Sequence, residues 1–221
     1  MSNHLAVAMV TATLVRTLSD ALAQARDGRV ETAGVTTLRP PSLVAKTDSS
    51  TRGINVFLYH VVPNGIYAAE ALPSRRSDGT LTARPRQGLD LHYLLTFTGD
   101  ESTLEPQRLL GLAVGALADR PLLTRSVITT AVQEATEHNP AAWEGFADLA
   151  DQMEPVRVGM VPMTIEEASR LWSSMFHSTY RLSVAYRAGV AVVEGLSKPV
   201  DRPDRPEGID IAVAPGTARD R

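Results

Sequence analysis

The sequence predicts an α+β domain: a mostly antiparallel or mixed sheet flanked by helices. Three observations carry this. From Leu89 to Phe97, the apolar residues Leu89, Leu91, Tyr93, Leu95 and Phe97 occupy every second position, with Asp90, His92, Leu94 and Thr96 between them, which is the period of a half-buried strand. Segments with helical period come in groups, in the order helix, strands, three helices, strand, helix, strand, without the regular βαβ alternation of a parallel sheet. A chain of 221 residues with 43% hydrophobic and 21% charged residues has ordinary globular composition and length for one sizeable core.

Residues 4 to 26 open the chain with Leu5, Ala8, Met9, Ala12, Val15, Leu18 and Leu22 at helical spacing. Gly28 is the expected stop. Residues 30 to 38, rich in Val and Thr, suit an early strand that Pro40 and Pro41 end. Residues 42 to 52 read as a polar loop. Ile54 to Val62 is apolar on both alternating faces, as in a central strand covered on both sides, and here His60 reads as a core or near-core histidine. Pro63-Asn64-Gly65 turns the chain away. Residues 66 to 88 hold four arginines between Pro73, Gly79, Pro85 and Gly88, predicting a long excursion with a short hairpin at Asp78-Gly79.

After the Leu89 strand, Ser102 or Thr103 is the expected cap of a helix with Glu105 and Pro106 in its first turn and a buried stripe of Leu109, Leu112, Ala113, Ala116 and Leu117. Pro121 stops it. Further helices are expected at about 125–137 and, opened by Asn139-Pro140, from Ala141 to Gln152. Val156, Val158 and Met160 form a short strand ending at Pro162. Thr164-Ile-Glu-Glu167 is a capping box, opening a helix with Ile165, Ala168, Leu171, Trp172 and Met175 on one side. Tyr180 to Val193 is the last strand; Tyr180, Leu182, Val184, Tyr186, Val190 and Val192 share a face, and Gly189 marks a bulge. Residues 1–196 thus make one domain. Residues 197–221 are a Pro-, Asp- and Arg-rich tail whose composition does not bury enough apolar surface to order itself. Within it, Ile209 to Val213 is a strand-like segment able to pair with a neighbour's edge.

The formal net charge is −3, and no dense basic patch of the kind that displaces counterions from nucleic acid is present, since Arg75, Arg76, Arg84 and Arg86 are too thinly spaced. With no cysteine, thiol nucleophiles, zinc-thiolate sites and disulfides are excluded, and the chain suits a reducing cytoplasm. The apolar run Leu5 to Val15 lacks a basic start and a cleavage pattern, so it reads as a helix of the folded protein and not as a signal peptide or membrane span.

Catalytic patterns are sparse. No Gly-x-Ser-x-Gly elbow or phosphate-binding glycine loop occurs; Gly111 and Gly115 fall within a helix as a small face for close packing. Glu134, Glu137, His138 and Glu144 lack the spacing that sets two imidazoles on one helical face. Asp90 and His92 share a strand face and form a possible acid/base pair, but an interfacial face has the same appearance. Trp172, Tyr180 and Tyr186 fall at core positions. No metal or cofactor is called for by these residues.

The order of segments carries a resemblance. Asn55-Val-Phe-Leu-Tyr59 before Pro63-Asn64, Leu89-Asp-Leu-His-Tyr-Leu-Leu95, Gln107-Arg-Leu-Leu-Gly111 through Asp119-Arg-Pro-Leu-Leu123, Leu171-Trp172, and Arg181-Leu-Ser-Val-Ala-Tyr186 together resemble the cap or tail-terminator family of contractile injection systems. These are phage-tail-like particles that include the antifeeding-prophage and Photorhabdus virulence cassette types. The resemblance spans most of residues 5–195. It implies a non-enzymatic hexameric ring on the distal end of the inner tube, with the tube and sheath proteins and other copies of itself as partners. It implies no cofactor and places the protein in the cytoplasm on a particle that can be released. The expected contact residues are Arg75, Arg76, Arg84 and Arg86 of the excursion, Asp90 and His92 of the strand, and Ile209 and Ile211 of the tail. The alternatives are a small adaptor or ligand-binding α+β domain, an enzyme using Asp90 and His92, or another particle component such as a baseplate protein.

Overall fold

A computed structural model describes residues 4–25, 33–37, 52–143, 150, 152, 155–175 and 180–197. Its framework is a six-stranded mixed sheet. The strands are β1 (Gly34–Thr36), β2 (Gly53–Pro63), β5 (Arg86–Thr98), β6 (Leu122–Leu123), β7 (Val156–Val161) and β8 (Ser183–Glu194). They lie in the order β1-β2-β5-β8-β7-β6. Among the described strands only β1 and β2 run parallel. The excursion forms a separate two-stranded ribbon, β3 (Ser74–Arg75) with β4 (Leu81–Ala83). Gly79, at φ +83°, takes a left-handed position in its turn as the Asp78-Gly79 pattern predicts.

The alternating strand is the middle of the sheet and is longer than its pattern, since β5 starts at Arg86. Leu91, Tyr93, Leu95 and Phe97 are all at most 1% exposed. They meet Leu14 and Leu18 of α1 (Ala6–Gln24), Leu109, Ala113 and Leu117 of α2 (Glu105–Asp119), and Ile128 and Val132 of α3 (Arg125–His138) in one core. Each such large apolar side chain contributes about 1.5–3 kcal/mol on leaving water. The polar residues on the inner side of α1 are satisfied locally. Thr13 and Thr17 donate to the carbonyls of Met9 and Thr13 (2.7 and 2.8 Å), and the Thr11 hydroxyl lies 2.8 Å from the Tyr93 hydroxyl. Burial raises the Tyr93 pKa well above the usual range, so the phenol stays neutral.

Helix α1 shifts the expected stripe, since Ala8 is exposed whereas Val10 and Leu14 are buried. It is long and apolar enough, by length and composition, to cross a membrane. In the fold its apolar stripe, from Ala6 through Met9, Val10, Leu14, Leu18 and Leu22, is packed in the core. It ends at Gln24, while Gly28 lies outside the described residues.

The opposite sheet face carries α4 (Ile165–Ser174), whose Trp172 indole reaches the Ser183 hydroxyl at 3.4 Å. Thr164 and Glu167 form both hydrogen bonds of the capping box. Burial along this helix is uneven: Trp172 is buried, whereas Ile165 is 85% exposed. Tyr180 is likewise no core residue. It precedes β8, is largely exposed, and meets the Trp172 ring edge-on at 5.5 Å.

Three further differences have physical causes. Strand β2 is not central: it lies next to β1, only its first four residues are fully buried, and His60 is exposed. The cap ahead of α2 is Asp100, whose carboxylate accepts the Ser102 N–H at 2.9 Å, while Leu104 takes a left-handed φ of 56° and forms the junction to the helix. Leu112 and Ala116 of the expected α2 stripe are only half-buried. In β8, the irregularity predicted at Gly189 occurs opposite Asp90. One extra residue reverses the phase, so Ala188 and Ala191 face the core and Val190 and Val192 leave the face shared by Val184 and Tyr186.

Candidate interaction surfaces

On the outer face of β5, His92 lies opposite Arg187 of β8 and beside β2. A register irregularity in β2 between Leu58 and His60 gathers aromatic groups there. The His92 ring is 5.7 Å from that of His60 and 6.2 Å, edge-on, from that of Tyr59. Asp90, the possible acid/base partner of His92, is engaged by another side chain. Asn64 holds both Asp90 carboxylate oxygens at 3.0 Å through its amide nitrogen, and its own carbonyl accepts the Ile66 N–H at 2.9 Å. Asp90 thereby ties the turn after β2 to the central strand, and the absence of side chain at Gly189 makes room for it.

His92 has a pKa below the ordinary histidine value of 6.5, first because of partial burial, then because His60 and Arg187 disfavour a further positive charge, with Asp90 opposing them. A histidine whose folded pKa is depressed makes the fold most stable above the unfolded value and costs stability as pH falls below it. The melting temperature is therefore expected to decline from about pH 6.5 downward, and to decline less steeply in His92→Gln. Parallel slopes in thermal denaturation across that interval would remove His92 as the cause.

The arginines separate into two groups. Arg75 and Arg76 are exposed on the β3–β4 ribbon, where Arg75 donates to the Gly79 carbonyl at 2.9 Å and the Arg76 backbone closes the turn. Arg84 and Arg86 border a groove of about 540 Å³ with Glu70, Leu72 and Glu194. Arg86 bonds Glu194 at 3.0 Å and approaches Glu70 at 3.6 Å, so it anchors the 3₁₀ turn at Gly65–Glu70 to the ends of β5 and β8. Glu70, Asn64 and Glu194 were not distinguishable as partners in sequence, because they are brought to β5 from 16 to 108 positions away. Ile209 and Ile211 lie outside the described residues.

Elsewhere, Gly111 and Gly115 do not mediate close packing. They border an open groove of about 350 Å³ between α1 and α2, and a side-chain carbon at either would touch nothing within 4 Å. Glu134 pairs with Arg16, and His138 bonds the Glu134 carbonyl at 2.8 Å. Among the described residues no group of three or more potential ligands is gathered for a metal.

The described residues thus form an α+β domain with a mixed six-stranded sheet and helices packed against it. The chain belongs to the Pvc16 N-terminal domain family, whose sequence profile matches residues 9–205. Two solved structures share the fold. One is the sheath/tube terminator of the extracellular contractile injection system PVC in its extended state, with a TM-score of 0.57 and 14% identity, covering 97% of this chain and 65% of that one. The other is the tube-terminating cap of the anti-feeding prophage, with a TM-score of 0.50 and 15% identity, covering 92% of this chain and 59% of that one. This chain therefore spans about three-fifths to two-thirds of the length of those proteins. No curated protein matches it.

Proposed function

We propose that this protein caps the distal end of the inner tube and sheath of a contractile injection system, as a ring of six copies that closes the lumen and fixes tube length. The observation that carries this reading is the coverage of 97% of the chain by the fold of a sheath/tube terminator, together with the family match over residues 9–205. The role is structural and not catalytic, in keeping with Asp90 being engaged by Asn64. Its partners are the tube protein, the sheath protein and other copies of the chain. Assembly takes place in the cytoplasm on a particle that can later be released. Residues 1–196 act as the capping domain, and residues 197–221 as an arm used in assembly. Arg75 and Arg76, on the exposed ribbon, and the Arg84 and Arg86 groove are its charged contact regions toward tube, sheath or neighbouring subunit, with His92 on the outer sheet face.

Particles from a strain lacking the gene are expected to show tubes and sheaths of broadly scattered length with open distal ends in electron micrographs, restored by the full chain in trans. Uniform lengths with closed ends in the deletion strain would refute the terminator role.

A further inference from the structure

Among the described residues the sheet has a long open edge. Strand β1 pairs only with Gly53, Ile54 and Asn55 of β2, yet β2 continues to Pro63 and is held on its other side by β5 throughout. Among the described residues no strand lies beside Val56–Val62 on the β1 side. Edge strands are usually defended by lysine, proline or inward charges. Between Val56 and Val62 there is no lysine, proline or charged residue, and the one protective device is the bulge near Tyr59. Val61 is 41% exposed on this stretch. Unpaired N–H and C=O groups flanked by apolar side chains are an acceptor for one more strand.

We propose that this edge receives the Ile209–Val213 segment of a second copy of the chain. The inference rests on the ring reading above and supplies a contact that links its subunits. The segment alternates Ile209, Ile211 and Val213 with Asp210 and Ala212, the pattern of a short strand with one apolar face.

The length of the tail permits a neighbour as its acceptor. Strand β8 leaves the sheet at Glu194, at the same end as Pro63 of β2, since both strands run antiparallel to β5. Passing from β8 to a position beyond β2 crosses three strand spacings, about 14 Å. Pro199, Pro203 and Pro206 lie in the connecting stretch Lys198–Gly208, and proline favours extended backbone of about 3.1 Å per residue. At that rise an arm of this length can reach roughly 30 Å, more than the distance to its own edge and enough to cross to the next subunit. A head-to-tail contact of this kind closes into a ring when each copy both gives and receives a strand.

The chain has no cysteine, so single substitutions give clean cross-linking sites. Full-length Val61→Cys and affinity-tagged Ile211→Cys proteins would be mixed, treated with a short bis-maleimide, and analysed by denaturing gel and peptide mass spectrometry. A 61-to-211 heterodimer at twice the 23.8 kDa chain mass is expected, and Ala212→Pro in the tagged chain, which removes a pairing N–H, is expected to abolish it while leaving the melting temperature unchanged. Absence of the heterodimer overturns the proposal. So does a purely intramolecular product in the doubly substituted chain, or cross-linking of position 61 to sheath subunits alone in whole particles. The two readings fail separately: rings seen by electron microscopy without this cross-link would discard the strand exchange and keep the cap. Heterodimers from a protein whose deletion leaves particle ends unchanged would do the reverse.

Discussion

Substituting Gly53 with alanine is expected to destabilise the protein by about 2–4 kcal/mol, combining a strained left-handed-side backbone with overpacking. Gly53 has φ +145°, a value that side chains of L-residues rarely adopt. It also pairs with Gly34 in the only parallel ladder among the described strands, and a side-chain carbon there would overlap the Gly34 carbonyl. That atom is backbone, so no rotamer change relieves the overlap. The result would show as a lower melting temperature and as loss of amide-exchange protection at Val35 and Thr36, with β5 and β8 affected much less. An unchanged melting temperature would mean that β1 can shift away from β2 at little cost.

Truncating Phe97 to alanine is expected to cost about 3–5 kcal/mol, the range for a large aromatic removed from a packed core. For a chain of this size that corresponds to a melting temperature lower by roughly 6–20 °C. Phe97 is 1% exposed and lies opposite Ile54 in the β2–β5 ladder. Its backbone also accepts no freedom to move, since its N–H donates to Leu182 at 3.0 Å. Phe97→Leu, which refills most of the space, is expected to recover more than half of the loss in circular-dichroism melts. Equal melting of the two variants would indicate that the site collapses around the smaller side chain.

Phe97 also marks what the sequence makes legible. Its strand is evident because apolar side chains alternate strictly on the face toward the helical core, so period alone locates it, although period does not reveal that Leu94 and Thr96 on the other face are fully buried as well. The capping box at Thr164 and the hairpin turn at Gly79 are readable for a similar reason: each depends on neighbours within a few positions. His60 was misplaced because an irregularity at Tyr59 interrupts the alternation, and no local pattern announces that the extra residue turns His60 outward. Period places Ile165 and Tyr180 on apolar faces, yet both are exposed, because spacing records which face a side chain shares and not whether anything covers it. The candidate surfaces are the least legible part. Asp90 next to His92 suggests a dyad in one dimension, whereas Asn64, on the turn after β2, claims the carboxylate in three. Arg86 is an exposed-loop arginine by composition but a tether between Glu70 and Glu194 in the fold.

The ladder between β5 and β8 has a consequence for synthesis. Arg86 and Glu194 are 108 residues apart, so at a translation rate of about 5–20 residues per second the central strand waits some 5–20 s for its second neighbour to be made. During that interval β2 and β5 can pair as a hairpin, but the other side of β5 is a bare apolar strand. A ribosome-bound or prematurely terminated chain therefore exposes its most hydrophobic edge, which favours capture by chaperones and proteases. A chain that has received β8 has that edge closed.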